Sequence, residues 1–363
     1  MKTLVVVFPS IESAGVEKNF YYLINNISIK FEKIIVITAS EVKKKLFPKK
    51  IKFIKTESSF WLKKSRFIKS IVCFFLALKL FKTENILILS FQSNIISIIL
   101  SKILRCKIII RLNTSPEKYI NTTIKKFIFY FFYKLSNEII VNSLEFKRTL
   151  KKILNLNSHA IYNAIGLPKK INKKKIYFFN HFKGLKIISI GRLTDQKDHL
   201  TLIKALNLLK KESIKFKLYL IGQGNNYNKI NNFIKDYKLI NNIKLAGFKS
   251  KAYEYINSAD LFILSSKYEG LPNVLLEAQF LGVPIISSNC PTGPKEILIN
   301  GKAGTLYKTG DYRDLSYKIK LFIKNKFIFD KQVKFAKKNL TRFENKIILQ
   351  KYNKILIKNI NKK

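Results

Sequence analysis

The stretch that decides the fold runs from residue 266 to residue 278 and reads Ser-Lys-Tyr-Glu-Gly-Leu-Pro-Asn-Val-Leu-Leu-Glu-Ala. The apolar run Leu261–Leu264 just before it predicts a buried strand, which Gly270 and Pro272 interrupt. Pro272 suits the first turn of a helix, because its missing N–H would have no helical partner there. The stretch therefore predicts a helix that begins at the carboxyl end of a parallel strand.

Such a helix start is a ready anion site, because its backbone N–H groups and the helix dipole both point at the ligand. Two carboxylates, Glu269 and Glu277, lie around this start. A carboxylate does not suit a bare anion, but it accepts hydrogen bonds from hydroxyl groups when the ligand is a phosphate that carries sugar rings. The pattern predicts a nucleotide sugar as the ligand.

Glu269 and Glu277, with seven residues between them, resemble the paired-glutamate motif of family 4 retaining glycosyltransferases. Further segments agree with that family in order and spacing over roughly residues 186–315. They read Gly-Arg-Leu-Thr-Asp-Gln-Lys (191–197), Leu-Ile-Gly-Gln-Gly (220–224), Leu-Ala-Gly-Phe (245–248), Pro-Thr-Gly-Pro-Lys-Glu-Ile (291–297) and Asn-Gly-Lys-Ala-Gly (300–304). The resemblance implies the two-Rossmann-domain GT-B fold and a retaining, metal-independent glycosyltransferase.

Val/Ile-rich runs of strand length alternate with helix-sized segments along the whole chain of 363 residues. This alternation predicts an α/β fold of two Rossmann-like doubly wound domains facing a central cleft. The predicted strands are Thr3–Phe8, Lys33–Thr38, Ile86–Ser90, Lys107–Arg111 and Glu138–Asn142 in the first half, then Lys186–Ile190, Lys217–Ile221, Ile243–Ala246, Leu261–Leu264 and Val283–Ser287. The predicted helices include Val16–Asn26, Trp61–Phe81 and Asn121–Leu135.

Three segments make up the predicted domain organisation. Residues 1–170 form an N-terminal acceptor-side domain, and residues 171–342 form a nucleotide-sugar-binding domain. A Gly-Leu-Pro sequence followed by a lysine run places the linker near residues 165–183. The resemblance implies that a C-terminal helix, residues 343–363, crosses back to the first domain.

Arg192 and Lys197 follow a predicted strand, at the carboxyl edge of the second sheet. A nucleotide sugar leaves behind a diphosphate whose negative charge grows as the glycosidic bond breaks, and fixed cations can stabilise that charge. Arg192 suits a bidentate phosphate contact, whereas Lys197 acts as a point charge. The predicted anion site is completed by the backbone N–H groups of Leu271, Asn273 and Val274.

The resemblance also assigns roles to individual residues. Glu277 would bind the ribose hydroxyls, and Glu269 would contact the transferred sugar or its adjacent phosphate. The catalytic set is therefore Arg192, Lys197 and Glu269. A pocket for the base is assigned to Gly222, Gly224, Gly247 and Phe248.

The first domain departs from the family pattern at two places. Its first loop reads Ala-Gly-Val-Glu-Lys (14–18) where the family has two glycines before Glu-Arg, and Gly15 still allows the backbone to approach a phosphate. Many members place a histidine beside the transferred sugar, but residues 111–115 read Arg-Leu-Asn-Thr-Ser and the first histidine is His159. Asn113 is the acceptor-side candidate, since its amide can bind a sugar hydroxyl although it cannot carry a proton.

Neither a metal site nor a bound cofactor is predicted. Cys73, Cys106 and Cys290 are widely spaced, which suits a reducing cytoplasm rather than a disulfide framework. The three histidines lie too far apart for helical ligand spacing, and no Asp-x-Asp motif occurs in the sequence.

The formal net charge of +47 has two interpretations. A polyanionic partner such as nucleic acid is one, and a genome-wide bias towards Lys, Ile and Asn is the other. Residues 251–300 hold three basic and five acidic residues, so the positive charge avoids the one segment with site-like chemistry. This distribution favours bias, with an anionic membrane surface as a tolerated partner and no nucleic acid.

Trp61–Phe81 combines aromatic residues with lysines, and further lysines lie at 43–45 and 49–50. A basic amphipathic element of this kind can lie on an anionic bilayer, although an ordinary domain helix has a similar pattern. Neither a signal peptide nor a spanning segment is expected, because the apolar runs are short. The predicted location is the cytoplasm, peripheral on the inner face of the plasma membrane.

The predicted function is transfer of a hexose from a nucleotide diphosphate sugar, a UDP-sugar, to a surface polysaccharide or lipid-linked saccharide. A nucleotide-sugar epimerase of the same fold and a basic nucleic-acid-binding protein remain as alternatives. A dinucleotide-dependent dehydrogenase is disfavoured, because Tyr227 stands where its motif needs a third glycine after Gly224.

Overall fold

The computed structural model describes residues 3–11, 15–27, 31–42, 47–48, 51–56, 59–81, 86–114, 116–118, 120–164, 171 and 173–361. The chain divides into two compact units. The N-terminal unit comprises Met1–Gly166 and Phe343–Lys363, and the C-terminal unit comprises Leu167–Arg342. The predicted linker, residues 165–183, lies partly outside the described residues.

Within the described residues, the N-terminal unit contains a sheet of seven parallel strands. The strands are β1 (Thr3–Val7), β2 (Lys33–Thr38), β3 (Ile51–Lys55), β4 (Ile86–Ser90), β5 (Lys107–Leu112), β6 (Glu138–Val141) and β7 (His159–Ala160). Their order is β3-β2-β1-β4-β5-β6-β7, so the winding direction reverses between β1 and β4. Every residue of β1 and β4 is buried, as expected for central strands covered on both faces.

Five helices of this unit follow its strands. They are α1 (Gly15–Asn26), α2 (Arg66–Leu80), α3 (Asn94–Ile103), α4 (Thr123–Lys134) and α5 (Leu144–Leu154). Right-handed crossovers place α2 to α5 on one face of the sheet and α1 on the other. In one core cluster, Cys73 of α2, Ile98 of α3 and Phe146 of α5 pack with Val5 of β1 and Ile88 of β4.

The predicted helix Trp61–Phe81 is wrong as a single element. A 3-10 turn spans Ser59–Lys63, and α2 begins only at Arg66, because the Ser65 side chain accepts a hydrogen bond from the Ile68 N–H at 3.4 Å and caps the helix. Lys69, one of the basic residues of this segment, is buried.

The last helix, Asn345–Asn361, belongs to the N-terminal unit. Lys358 Nζ lies 2.7 Å from Glu138 Oε1 at the start of β6. The ring of Phe343, which precedes the helix, lies 4.7 Å from the Tyr162 ring, centroid to centroid. The polypeptide thus returns to its first unit after completing the second.

The C-terminal unit has a parallel sheet of six strands, counted over the same described residues. These are β8 (Leu185–Ile190), β9 (Phe216–Ile221), β10 (Ile243–Leu245), β11 (Leu261–Leu264), β12 (Ile285–Ser288) and β13 (Thr305–Tyr307), in the order β10-β9-β8-β11-β12-β13. The helices are α6 (His199–Lys211), α7 (Tyr227–Asp236), α8 (Tyr253–Ile256), α9 (Asn273–Leu281), α10 (Pro294–Ile297), α11 (Tyr312–Lys324) and α12 (Lys326–Lys338).

The predicted fold class is confirmed, since both units are doubly wound parallel sheets of the Rossmann type. Three short strands, β3, β7 and β13, were not predicted. Strand β3 lies at the edge of its sheet and only its first residue is buried, while β7 and β13 have two and three residues. The predicted strand Val283–Ser287 instead begins at Ile285.

Candidate functional site

The predicted site residues of the C-terminal unit lie in the loops that follow its strands and in the first turns of α9. Backbone hydrogen bonds join these loops in pairs. The Gly222 N–H donates to the Gly247 carbonyl at 2.9 Å, and the Lys267 N–H donates to the Gln196 carbonyl at 2.8 Å. The loops after β8, β9, β10 and β11 are therefore held together by the main chain, which is the preorganisation a binding site needs.

The glycines after β9 permit close contact between two of these loops. A Cβ on Gly222 would lie 1.8 Å from the Gly191 carbonyl oxygen, and one on Gly224 would lie 2.4 Å from the Leu193 carbonyl oxygen. No side chain fits at either position without moving the main chain. The two glycines thus have a structural reason in packing, and their assignment to a base pocket stays a prediction.

Lys197 and Glu269 form an ion pair at the centre of this edge. Lys197 Nζ lies 2.5 Å from Glu269 Oε1, and the Ser266 hydroxyl donates to the same oxygen at 2.6 Å. The side chains of the pair are only 14 % and 7 % exposed. Lys197 is therefore not a solvated surface charge.

The backbone of Glu269 is anchored to the loop after β12. The Glu269 N–H donates to the Pro291 carbonyl at 3.2 Å, and the Thr292 hydroxyl donates to the Glu269 carbonyl. Gly293 allows this approach, because a Cβ there would lie 2.4 Å from the Gly270 carbonyl oxygen. These contacts fix the backbone of Glu269 four residues before α9 begins.

Helix α9 begins at Asn273, with Pro272 immediately before it at the N-cap rather than in the first turn. Leu271 is buried, whereas Asn273 and Val274 are half-buried at the helix start. One turn further on, Glu277 is only 4 % exposed, so it does not lie on a solvent-exposed face of the helix. Burial, followed by the charges of Glu254 and Glu277, raises the pKa of Tyr253.

The remaining predicted residues of this edge are more open. Arg192 is exposed in the loop after β8, and Phe248 is 45 % exposed after β10. A Cβ on Gly247 would meet no atom within 4 Å, but its φ of +67° lies in the left-handed region that favours glycine. Arg192 and Phe248 thus lie in the loops after β8 and β10, the two strands on either side of β9.

Two buried titratable groups lie next to the ion pair. Burial, with the charge of Lys197 as the second cause, lowers the pKa of His199 to about 3, so this imidazole is neutral. Burial and the charge of Glu269 raise the pKa of the Cys290 thiol to about 12. Neither group supplies a proton carrier near neutral pH, and the predicted roles of Lys197, Glu269 and Glu277 stay predictions.

Ser266 and Thr292 are functional candidates that the sequence interpretation did not single out. Both hydroxyls hold Glu269, one at its carboxylate and the other at its carbonyl. Ser266 lies within the stretch 266–278 and Thr292 within the Pro-Thr-Gly-Pro segment, so both belong to motifs identified in the sequence. Only the pairing of the loops reveals what each hydroxyl contacts.

In the N-terminal unit, Gly15 is the first residue of α1, while Ala14 lies outside the described residues. Asn113 follows β5. Its Nδ2 donates to the Phe91 carbonyl at 2.8 Å, and its Oδ1 accepts from Arg111 Nε at 3.0 Å. The amide thus joins the ends of β4 and β5, and over the described part of the chain these two hydrogen bonds leave one N–H and one lone pair for a hydroxyl ligand.

Arg111 is fully buried beside Asn113. Burial lowers the pKa of its guanidinium group to about 9. Its Nη2 donates to Asn163 Oδ1 at 2.6 Å, and the group lies between the rings of Phe91 and Tyr352. The arginine therefore links β5 to the last helix.

Over the residues that the structure describes, no group of three or more His, Cys, Asp or Glu side chains could hold a metal ion. A search of the same residues finds no helix with the length and apolar character needed to cross a membrane.

Two doubly wound units, the first completed by the chain's last helix, define the GT-B class. The HepE protein of Anabaena, solved with UDP-glucose, shares this fold with a TM-score of 0.78 and 17 % identity, over 98 % of this chain and 99 % of that chain. Residues 172–342 match the model of the family described as "Glycosyl transferases group 1". This segment is the C-terminal unit almost entirely.

Curated relatives match about half of the chain. An uncharacterised glycosyltransferase of Methanocaldococcus jannaschii is 33 % identical over 176 residues, which are 46 % of this chain and 43 % of that protein. The N-acetylgalactosamine-N,N'-diacetylbacillosaminyl-diphospho-undecaprenol 4-alpha-N-acetylgalactosaminyltransferase of Campylobacter jejuni is 26 % identical over 208 residues, 56 % of each chain. The chain thus spans about half the length of the curated relatives it matches.

Proposed function

We propose that this protein transfers a hexose from a nucleotide diphosphate sugar, a UDP-sugar, to a polysaccharide or lipid-linked saccharide acceptor, with retention of the anomeric configuration. The observation that carries the proposal is the buried Lys197–Glu269 pair beside the start of α9. A cation, a carboxylate and a helix start within one set of joined loops match a ligand that combines phosphates with sugar hydroxyls.

The donor sits at the carboxyl edge of the C-terminal sheet. Glu277, buried one turn into α9, accepts hydrogen bonds from the ribose hydroxyls. The first-turn N–H groups of α9 face the diphosphate, and exposed Arg192 contacts it from the loop after β8. Phe248 and the glycines of the neighbouring loops border the base. A UDP-glucose complex of HepE, which has the same fold, supports this kind of donor.

Catalysis rests on charge compensation at the leaving diphosphate. Lys197 Nζ, held by Glu269 in the ground state, has N–H groups with which to meet a phosphate oxygen as its charge develops. Glu269 then keeps one oxygen bonded to Ser266 and turns the other towards the transferred sugar. Arg192 and Lys197 do the electrostatic work that a divalent cation does in metal-dependent transferases, and the leaving phosphate accepts the proton of the acceptor hydroxyl.

The acceptor and the location are proposed on chemical grounds. The name of the Campylobacter jejuni relative includes a diphospho-undecaprenol, and a lipid-linked acceptor of that class would be met at the inner face of the plasma membrane. The excess of basic residues, +47 overall, suits an anionic leaflet. We propose peripheral association with that membrane.

A panel of nucleotide sugars tests the proposal. The purified chain is incubated with each donor, and released UDP or GDP and free sugar are measured. We expect slow hydrolysis of one UDP-hexose, its loss in Lys197→Ala, and its retention in Lys244→Ala, which removes an exposed lysine from β10 of the same unit. Release of an epimerised nucleotide sugar, or no turnover of any donor, would contradict the proposal.

A further inference from the structure

Helix α4 has two apolar faces, and folding buries only one of them. Phe129 and Tyr133 pack on the core of the N-terminal unit. On the other side, four exposed residues recur at three- and four-residue spacing and so form one stripe. They are Ile124, Phe127, Ile128 and Phe131.

The stripe extends onto the next two helices of the same layer. Helix α3 contacts α4, and α2 contacts α3. On α3, Ile99 and Ile103 are exposed four residues apart, and on α2 the exposed residues Phe67, Ile71 and Phe75 have the same spacing. We call these nine side chains of α2, α3 and α4 the apolar face. Single exposed apolar residues are ordinary, but stripes on three neighbouring helices mark a surface that binds something.

The charges around the apolar face have one sign. Helices α2, α3 and α4 contain no Asp or Glu, whereas they contain seven Lys or Arg residues. Lys69 is buried, and the other six are exposed; these are Arg66, Lys79, Lys102, Lys125, Lys126 and Lys134. Helix α5, which contacts α4, adds an open groove lined by Lys147, Arg148, Lys151 and Lys152.

The apolar face together with its surrounding positive charges indicates which kind of partner can bind there. A second copy of the chain would bring two sets of positive charges together, which is unfavourable. An anionic bilayer offers phosphate headgroups to the basic side chains and an apolar layer just beneath them to the aromatic ones.

We infer that the apolar face lies in the interfacial layer of an anionic bilayer, with the flanking lysines and arginines against the lipid phosphates. The inference deepens the proposed membrane location, on which it rests. It moves the main contact from the α2 segment identified in the sequence to α4, whose stripe is the most exposed of the three.

Vesicle flotation of the full chain tests the inference, with vesicles of phosphatidylcholine alone or mixed with phosphatidylglycerol. The variant Phe127→Ser/Ile128→Ser has a matched control in Phe327→Ser/Ile328→Ser. Both are Phe-Ile pairs that follow a lysine on a helix, and their exposures are 70 % and 40 % on α4 against 65 % and 41 % on α12. We expect the α4 variant to lower partitioning onto mixed vesicles about tenfold or more, and the control to bind as the unaltered chain does.

The charge is tested in the same assay. Lys125→Gln/Lys126→Gln should weaken binding to mixed vesicles, unlike Lys337→Gln/Lys338→Gln, which alters an exposed pair on α12. Equal binding to both vesicle types, none to either, or equal losses in the α4 and α12 variants would overturn the inference. A dimer seen by light scattering and abolished by Phe127→Ser/Ile128→Ser would assign the face to a second copy instead.

Donor hydrolysis without vesicles separates this inference from the proposed function. Unchanged hydrolysis in the α4 variants, together with lost flotation, supports both. If the unaltered chain hydrolyses a donor but does not float with vesicles, the membrane inference is contradicted and the proposed function is not. Flotation with no turnover of any donor removes the proposed transferase and leaves the surface.

Discussion

Replacing Lys197 with methionine separates the catalytic role of its charge from its role in the fold. Methionine keeps an unbranched apolar stem and removes the ammonium group that lies 2.5 Å from Glu269 Oε1. The Glu269 side chain is 7 % exposed, so the variant retains a buried carboxylate with the Ser266 hydroxyl still donating to it. Removing one partner of a buried pair costs about 3–5 kcal/mol of folding free energy. Because Ser266 still donates, we expect a value near the lower end, about 3 kcal/mol.

A second substitution distinguishes the two roles. Lys197→Met/Glu269→Gln removes the stranded charge as well, so most of the lost stability should return. Activity should not return, because the charge that meets the leaving diphosphate is still absent. Losing such a contact removes about 2–4 kcal/mol of transition-state stabilisation, which lowers turnover about 30- to 1,000-fold.

Denaturant unfolding followed by circular dichroism measures the first quantity, and UDP release from the donor found in the panel measures the second. Lys244→Met, at an exposed lysine of β10, is the matched control and should change neither. If the double variant regained turnover together with stability, the pair would be a structural element only, and Lys197 would have no place in the chemistry.

Three further predictions concern the same edge. Glu277→Ala should raise the KM for the nucleotide sugar about 10- to 100-fold with an unchanged circular dichroism spectrum, since it removes charge-assisted bonds to ribose; an unaltered KM would contradict that role. Turnover should persist in excess EDTA because Arg192 and Lys197 supply the positive charge, and inhibition reversed by manganese or magnesium would refute this. Burial holds the pKa of His199 near 3, below its unfolded value of about 6.5. As the pH is lowered, the unfolded chain therefore takes up the proton first. The free energy of unfolding has its full value above about pH 6.5 and falls below it. The free energy of unfolding should fall by about 2 kcal/mol between pH 7 and pH 5, and His199→Leu should abolish this loss. The control His181→Asn, at an exposed site, should retain it. Equal pH profiles for the two variants would show that His199 is not the source of the loss.

The sequence alone determined the strands at the centre of each sheet and the start of the helix at the site. The predicted bounds Lys33–Thr38, Ile86–Ser90 and Leu261–Leu264 are those of β2, β4 and β11. Central parallel strands are buried on both faces, so their sequences are apolar without interruption and their limits are local. Pro272 and Gly270 act locally as well, and α9 begins next to them at Asn273.

Short strands and helix faces needed the tertiary structure. A strand such as β13, three residues long, is defined by its pairing with β12 and not by any period of its own. In α4, apolar residues occur on nearly every side, so the pattern cannot show which of them the sheet covers. Lys69 likewise reads as a surface residue until the packing of α2 buries it.

The arrangement of the site was decided by the tertiary structure for a related reason. Lys197 and Glu269 are 72 residues apart, and their contact exists because β8 and β11 are neighbours in the sheet and their following loops meet. Sequence patterns identified both residues but gave each a separate partner. Burial depends on all surrounding elements at once, and only the tertiary structure shows that Lys197 and Glu269 form a buried ion pair.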